Sequence, residues 1–443
     1  MKKYILFYTL LVLCTSSFAQ KRWTLQECIN YAIENNIDLR MQELNTKSAE
    51  IDLSTSKNSR LPNLNAGANQ NFNFGRNIDY LTNIYTSNNT TSSSFPLSTG
   101  IPVFTGFRIS NEIKRDEFNL LASIEGLKKA KENLELQIVS MFLDVLLNKE
   151  ILKAYQDQLT FSNEQVGKTQ ILLDAGKVPA SQLYDMKAQA ARDELNVVTA
   201  KNRVDLYLLN LSQALNLPQQ DNFDIVEPDL DDAMENNSAS LLPVDQVYMT
   251  AIGIKPHIKE AEYKIERSKR TLKIAQSGYW PSLDFRGSIG TDYGKRFGTS
   301  SRAFFRQLGD NFGQSVGFSL SIPIFNRFQV RNQVRAAKLN IENQTLAMDN
   351  VKLALYKEIQ QAYQSATAAQ AKYNSTEKAL DAAEESFKYA RERYDIGQST
   401  VFEYNEAQTK YLTSRSDQIQ AKYDFIFTTK ILDFYQGKPI DIR

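Results

Sequence analysis

Residues 321–328 read Ser-Ile-Pro-Ile-Phe-Asn-Arg-Phe (SIPIFNRF), and residues 100–107 read Gly-Ile-Pro-Val-Phe-Thr-Gly-Phe (GIPVFTGF). Each phrase closes a run with period-two alternation and opens a long run of helical period. A strand-to-helix joint written twice, 221 positions apart, points to a duplicated unit, and the surrounding landmarks keep that offset. Leu61-Pro62 answers Trp280-Pro281, Asp174-Ala175-Gly176 answers Asp395-Ile396-Gly397, and Ala188-Gln189 answers Ala407-Gln408. Pro218 answers Pro439. The chain divides into a first repeat at 20–218, an acidic Asn-rich linker at 219–242, and a second repeat at 243–443. The linker is expected to lie outside the main body.

The strand-like runs occupy roughly 62–74, 93–104, 281–293 and 312–325. In the first, Leu64, Ala66, Ala68, Phe72 and Phe74 alternate with Asn63, Asn65, Asn69, Asn71 and Asn73. Phe95, Leu97, Ile101 and Val103 are expected to share a face in the second. The third alternates Leu283, Phe285, Ile289 and Tyr293 with Ser and Asp. In the fourth, Val316, Phe318, Leu320, Ile322 and Ile324 alternate with Gly and Ser. Each strand is about ten residues, the length that crosses a bilayer at a tilt. A soluble sheet on helices would share the period, but a face rich in Asn, Ser and Gly suits a water-filled lumen. Four strands leave unpaired edges, each orphan group costing several kcal/mol in hydrocarbon. Several chains must then pool their strands: two give eight, three give twelve, and a pore for cargo favours the larger barrel.

The joints open helices at roughly 107–173 and 327–394, each expected to carry a coiled-coil seam. Ile138, Met141, Val145, Asn148, Leu152, Tyr155, Leu159, Ser162, Val166, Thr169 and Leu173 mark the first. Leu355, Ile359, Ala362, Ala366, Ala369, Tyr373, Thr376, Leu380, Ala383, Phe387, Ala390 and Tyr394 mark the second. At ~1.5 Å per residue such helices reach on the order of 100 Å. Shorter helices are expected at 24–60, begun by the capping box Thr24-Leu25-Gln26-Glu27, and at roughly 181–217 and 400–436. Gly176 and Gly397 are expected to cap the long helices. Their turns should lie at the end far from the strands.

At the N-terminus, Lys2 and Lys3, the apolar run from Ile5 to Leu13 and Ser17-Phe18-Ala19 read as a signal peptide over 1–19. Cys14 raises lipidation as an alternative, against which Leu13 is a poor lipobox residue. Removal of the signal segment leaves one cysteine, Cys28, so no internal disulfide is expected. Fifty-two basic against 51 acidic residues give no argument for nucleic acid. No P-loop, dinucleotide fingerprint or metal-ligand spacing accompanies the single histidine, His257, so no enzyme, cofactor or metal is expected.

In these joints, proline strand starts and Asp-x-Gly turns, the chain resembles the TolC-like outer membrane efflux protein family over essentially its whole mature length. The resemblance implies a mainly α fold with transmembrane β: long coiled-coil helices and four strands per chain, trimerising into a 12-stranded barrel and a periplasmic α-helical barrel. It implies an exit duct in the outer membrane of a Gram-negative cell for a tripartite efflux pump or type I secretion system. The partners implied are a periplasmic adaptor and an inner-membrane RND or ABC transporter, meeting the turns at Asp174, Gly176, Asp395, Gly397 and Ser399. By position, Glu403 and Glu406 correspond to acidic rings at the periplasmic constriction, and Tyr394 matches a tyrosine expected nearby. Ser399 stands where the family's latch has an arginine, and the first repeat has Tyr184 and Lys187 at the ring positions. Glu403 also completes the capping box Thr400-Val401-Phe402-Glu403, which explains an acid there without a ring. Pro102, Phe104, Pro323 and Phe325 form the strand–helix joints. The competing expectation is a secreted coiled-coil scaffold or adhesin without a pore.

Overall fold

The structure, a computed structural model, describes residues 22–79, 83–87, 89–218, 223–228, 241–298 and 300–440. The signal segment, Cys14 and most of the 219–242 linker lie outside the described residues. The first repeat runs β1 (Arg22–Trp23), α1 (Leu25–Asn35), α2 (Ile37–Asn58), β2 (Asn63–Ala66), β3 (Asn69–Asn73), β4 (Arg76–Asp79), β5 (Ile84–Ser87), β6 (Thr90–Phe104), α3 (Arg108–Asp174) and α4 (Ala180–Ala214). After β7 (Asp224–Ile225) the second runs α5 (Val244–Ile254), α6 (Pro256–Ser277), β8 (Ser282–Arg296), α7 (Phe304–Asp310), β9 (Gly313–Ser321), α8 (Gln329–Asp395) and α9 (Val401–Tyr435). Both long helices have 67 residues and both helices that follow them have 35, so the duplication is structural. The described residues form two compact units, one drawn from 22–44, 126–258 and 350–440, the other from 45–125 and 259–349. All four boundaries fall inside helices, so each repeat contributes to both units.

The first unit is helical. Cys28, Ala32, Ile138, Val145, Leu211 and Ile426 are fully buried in its main core, and Val247, Ala251, Ile258, Leu355 and Ile359 form a second cluster. Each large aliphatic side chain so buried contributes ~1.5–3 kcal/mol. The single helix expected over 24–60 is two helices, because Asn36 turns extended (φ −64°, ψ 127°) and its side chain accepts from the Leu39 N–H as a new cap. The second repeat breaks 219 residues later at Lys255, where Pro256 forces the residue before it out of the helical region. The linker was expected outside the body, but residues 223–226 are anchored. Trp23 pairs with Ile225 in a parallel β1–β7 bridge, Ile225 is fully buried, and Phe223 packs on Trp23. These apolar residues hold that stretch against the core.

The α8 seam is buried at Leu355, Ile359, Ala362, Ala366, Ala369 and Ala383, and alanine permits close helix approach there. Along α3 the seam is buried at Ile138, Val145, Asn148, Ser162 and Thr169, but Ala154, Gln158 and Gln165 beside it are buried in place of Leu152, Tyr155, Leu159 and Val166, which are half-buried. A helix near 3.6 residues per turn drifts off a strict heptad, so the buried line crosses to the adjacent row.

The second unit carries an antiparallel sheet in the order β2-β6-β8-β9, with β3 also paired to β6. Its register puts Asn65, Ser98, Ser288 and Ser315 in one row across four strands. Three residues along, a row on the other face holds Ile101, Phe285 and Phe318. Three strand expectations are corrected. The run 62–74 is two strands, because Pro96 has no N–H to complete the ladder opposite Gly67. Val103 does not join the apolar row: a bulge between Pro102 and Phe104 puts Phe104 opposite Leu283. β9 stops at Ser321, short of 325, because its partner β8 starts at Ser282, directly opposite. The β4–β5 hairpin, the β1–β7 bridge and the short helix α7 have no counterpart in the sequence reading.

Candidate functional site

At each joint the backbone reverses through two consecutive left-handed residues, Gly106 (φ 61°) with Phe107 (φ 66°), and Arg327 (φ 55°) with Phe328 (φ 61°). In both, a joint phenylalanine meets the left-handed one edge to face: Phe104 on Phe107 at 5.4 Å and Phe325 on Phe328 at 5.5 Å. Phe107 also meets Trp280 at 6.4 Å, and the Arg331 guanidinium lies 4.5 Å from the Phe328 ring centroid. Pro102 is opposite Asp284 inside the sheet, whereas Pro323 lies beyond the end of β9. Phe107, Trp280, Phe325 and Phe328 are all more than half exposed, an aromatic level where the sheet gives way to helix. Such girdles mark the membrane interfaces of β-barrels. Asn63, Asn65, Ser98, Arg286, Ser288 and Ser315, together with Val316 and Phe318, line a concave surface on the strands.

The turns in the first unit are built alike. The Gly176 N–H reaches the Leu173 carbonyl and the Lys177 N–H reaches Leu172; Gly397 and Gln398 do the same to Tyr394 and Arg393. This double closure needs a left-handed residue, and both glycines supply it at φ 71° and 76°. Asp174 is exposed and accepts from Gln170, and Asp395 is exposed. Beside them Ile171, Ile396 and Phe402 present large apolar side chains to solvent, 70%, 68% and 77% exposed.

After the second turn, Thr400 and Glu403 form the reciprocal cap, and Ser399 Oγ donates to Glu403 Oε2 at 2.6 Å. The Ser399 hydroxyl and the Thr400 N–H, with a lesser contribution from Arg393, hold the Glu403 carboxyl below the usual carboxylate range against desolvation. Its stabilisation of the cap is therefore present above that range and is lost as pH falls through the lowered pKa. Ser399 is thus committed to Glu403. Glu406 is exposed one helical turn on, three positions away. The Tyr394 hydroxyl accepts from Gln182 at 2.6 Å and its ring lies 5.0 Å from buried Tyr404, so Tyr394 joins the two turn regions of the chain.

Behind these turns lies a buried polar layer that no sequence motif marks. Ser162 Oγ donates to Asp193 Oδ2 at 2.6 Å, Gln189 donates to Oδ1 at 3.1 Å, and Gln408 donates to Ser162 at 3.2 Å. Asp193 is 2% exposed, and burial raises its carboxyl pKa despite the two hydrogen bonds and nearby Arg192. The available signal was Ser162 and Thr169 at seam positions, where apolar residues are the rule. Among the described residues no group of three His, Cys, Asp or Glu side chains could hold a metal, and no helix is long and apolar enough to cross a membrane.

Compared with known proteins, the chain is 23% identical over 309 residues to outer membrane protein TolC of Escherichia coli, covering 67% of this chain. It is 22% identical over 329 residues to outer membrane efflux protein BepC of Brucella suis, covering 74% of this chain and 68% of the relative. The match spans 59% of the length of TolC. The solved structure of CusC superposes with a TM-score of 0.79 at 16% identity, covering 94% of this chain and 92% of CusC, which shows a shared fold. The family model of outer membrane efflux proteins matches residues 28–217 and 247–430, one segment in each repeat. With both repeats matched and the same fold in a solved channel protein, this chain belongs to the outer membrane efflux protein family.

Proposed function

We propose that three copies of this chain form a duct through the outer membrane, carrying substrates passively from periplasm to exterior. The observation that carries this reading is the sheet: four principal strands, apolar on one face and polar on the other, ending in open edges at β2–β3 and β9. Val316, Phe318 and Leu320 on β9 are 74%, 70% and 62% exposed, untenable in water and suited to hydrocarbon. In hydrocarbon the open edges must pair, and β9 of one copy on β2–β3 of the next satisfies both in a closed ring of twelve. Leu339, Leu346 and Leu353, 66%, 63% and 68% exposed at seven-residue spacing on α8, offer a second seam for a neighbouring helix. A scaffold without a pore explains the helices but leaves an amphipathic sheet with nothing to cover it.

In this reading the polar row from Asn65 to Ser315 lines the lumen, and the Asp174–Gly176 and Asp395–Ser399 turns lie at the periplasmic tip. Exposed Ile171, Ile396 and Phe402 give a periplasmic adaptor an apolar footing, with an RND or ABC transporter beneath it. Glu403 and Glu406 in three copies would put up to six carboxylates at the constriction, repelling anions and attracting cations. The family name and the polar lumen support export of varied cargo.

Purified protein tests the duct directly. The expected outcome is an oligomer that resists SDS until heated and conducts in planar bilayers; a soluble, non-conducting monomer would sink the proposal. The ring is tested by Glu403→Gln/Glu406→Gln, since glutamine keeps the cap. Weaker cation selectivity and weaker block by divalent cations are expected, and unchanged values would remove the ring.

A further inference from the structure

We infer that α7 is a membrane-surface anchor, in which Phe305 enters the outer leaflet while Arg306 and Lys295 meet its phosphorylated headgroups. The inference rests on the sheet being embedded as proposed above. α7 lies in the connection between β8 and β9, at the end of the sheet opposite the strand–helix joints. Phe304, Gln307 and Leu308 form its packed side, and Phe305, Arg306 and Gly309 its exposed side, an amphipathic division at helical spacing, with Arg302 exposed just before the helix.

The side of the sheet on which it sits decides its role. The Phe304 ring packs 4.9 Å from Tyr293 and 6.4 Å from Phe95. Both belong to the face of Phe285, Ile289 and Leu97, since Phe95 is opposite Thr291 and Leu97 is opposite Ile289. Three hydrogen bonds fix the seat: Thr291 Oγ1 donates to the Leu308 carbonyl at 2.6 Å, the Gly294 N–H donates to Gln307 at 3.0 Å, and Asn311 donates to the Asp292 carbonyl at 2.7 Å. A plug over the lumen would lie on the polar face; α7 instead takes up the β8 edge beyond its last pair with β9 at Gly290 and lays Phe304 on the apolar face.

Its outward side matches that level of a bilayer. Phe305 is 84% exposed, and among the described residues its one aromatic contact is the ring of Phe304. Arg306 is exposed beside it, and Arg302 pairs with Asp310 at 2.8 Å, which leaves Arg306 as the basic head next to the ring. Lys295 is exposed two residues beyond Tyr293 on the same face of β8. An aromatic ring flanked by cations is the side-chain chemistry of interfacial helices, where the ring enters the acyl boundary and the cations meet lipid phosphate.

Nitroxide-labelled Phe305→Cys and Leu320→Cys, each in a Cys28→Ala background, test this in vesicles of phosphatidylcholine with and without added lipid A. Oxygen should reach both labels several-fold better than a water-soluble nickel chelate does. If 320 is lipid-protected and 305 reports water in both vesicles, the anchor is overturned while the barrel stands, and the surface is left to a protein partner. If both report water, the embedded sheet and the anchor fall together. Lipid A should also raise the thermal midpoint of the native protein, and Arg306→Gln/Lys295→Gln should lose most of that rise; an undiminished rise would refute the phosphate contact.

Discussion

Arg327 and Gly106 occupy the same left-handed position in the two joints, with opposite tolerance for a side chain. A Cβ on Gly106 would lie 2.6 Å from Trp280 Cβ and 2.8 Å from the Ser277 carbonyl oxygen, in addition to the strain of φ 61°. Gly106→Ala is expected to lower the thermal midpoint of the detergent-solubilised protein, at a cost of about 2 kcal/mol or more. Arg327 already bears that strain, so Arg327→Gly should raise the midpoint, with a stabilisation of about 1 kcal/mol. A fall would mean that the arginine side chain stabilises the joint by more than its backbone costs. Asp193 gives a residue-scale dependence on pH. Its raised pKa means the folded state binds the proton more tightly, so stability falls as pH rises from the ordinary carboxylate range through the raised value. Asp193→Asn should melt above the native protein at neutral pH and coincide with it in acid; parallel melting at both would exclude the carboxylate as the cause.

Helix interruptions belong to the element scale. Asn36 and Lys255 break the first helix of each repeat at equivalent places, by different chemistry: a side-chain cap in one, a following proline in the other. Asn36→Ala removes the acceptor for the Leu39 N–H and should cost about 1 kcal/mol, read from chemical denaturation. Lys255→Ala should do more than lose a charge. Its ammonium lies 3.2 Å from the centroid of the Phe434 ring and 3.3 Å from Glu132, and only 2% of the residue is exposed. Burial lowers its pKa even against the nearby glutamates. The strands carry the matching lesson. Alternation located all four long runs, but the gap at Pro96, the bulge before Phe104 and the end of β9 depend on what lies opposite, which no run of residues states about itself.

For the whole molecule, the two faces of the sheet should respond oppositely to charge. Phe318→Arg places a cation on the exposed apolar face, where membrane insertion costs on the order of 2–4 kcal/mol per chain. It should abolish the heat-modifiable oligomer in outer-membrane fractions. Ser288→Arg, on the polar row beside Ser98 and Ser315, should assemble normally and alter ion selectivity. Equal assembly of both variants would refute the assignment of faces.

Within one chain the sequence by itself determined the duplication, the helix and strand types, the glycine caps and the reciprocal box at Thr400 and Glu403. Each depends on residues adjacent or a few positions apart, so spacing alone specifies them. Tertiary structure decided what depends on distant partners: that Ser399 is committed to Glu403, and that Asp193 is buried with Ser162 and Gln408. It also decided that Phe223 and Ile225 anchor part of an acidic linker, and that α7 lays Phe304 on the apolar face. A period states which residues share a face, but not what packs against that face. Burial, pairing and pKa follow from the second fact, and only the folded chain supplies it.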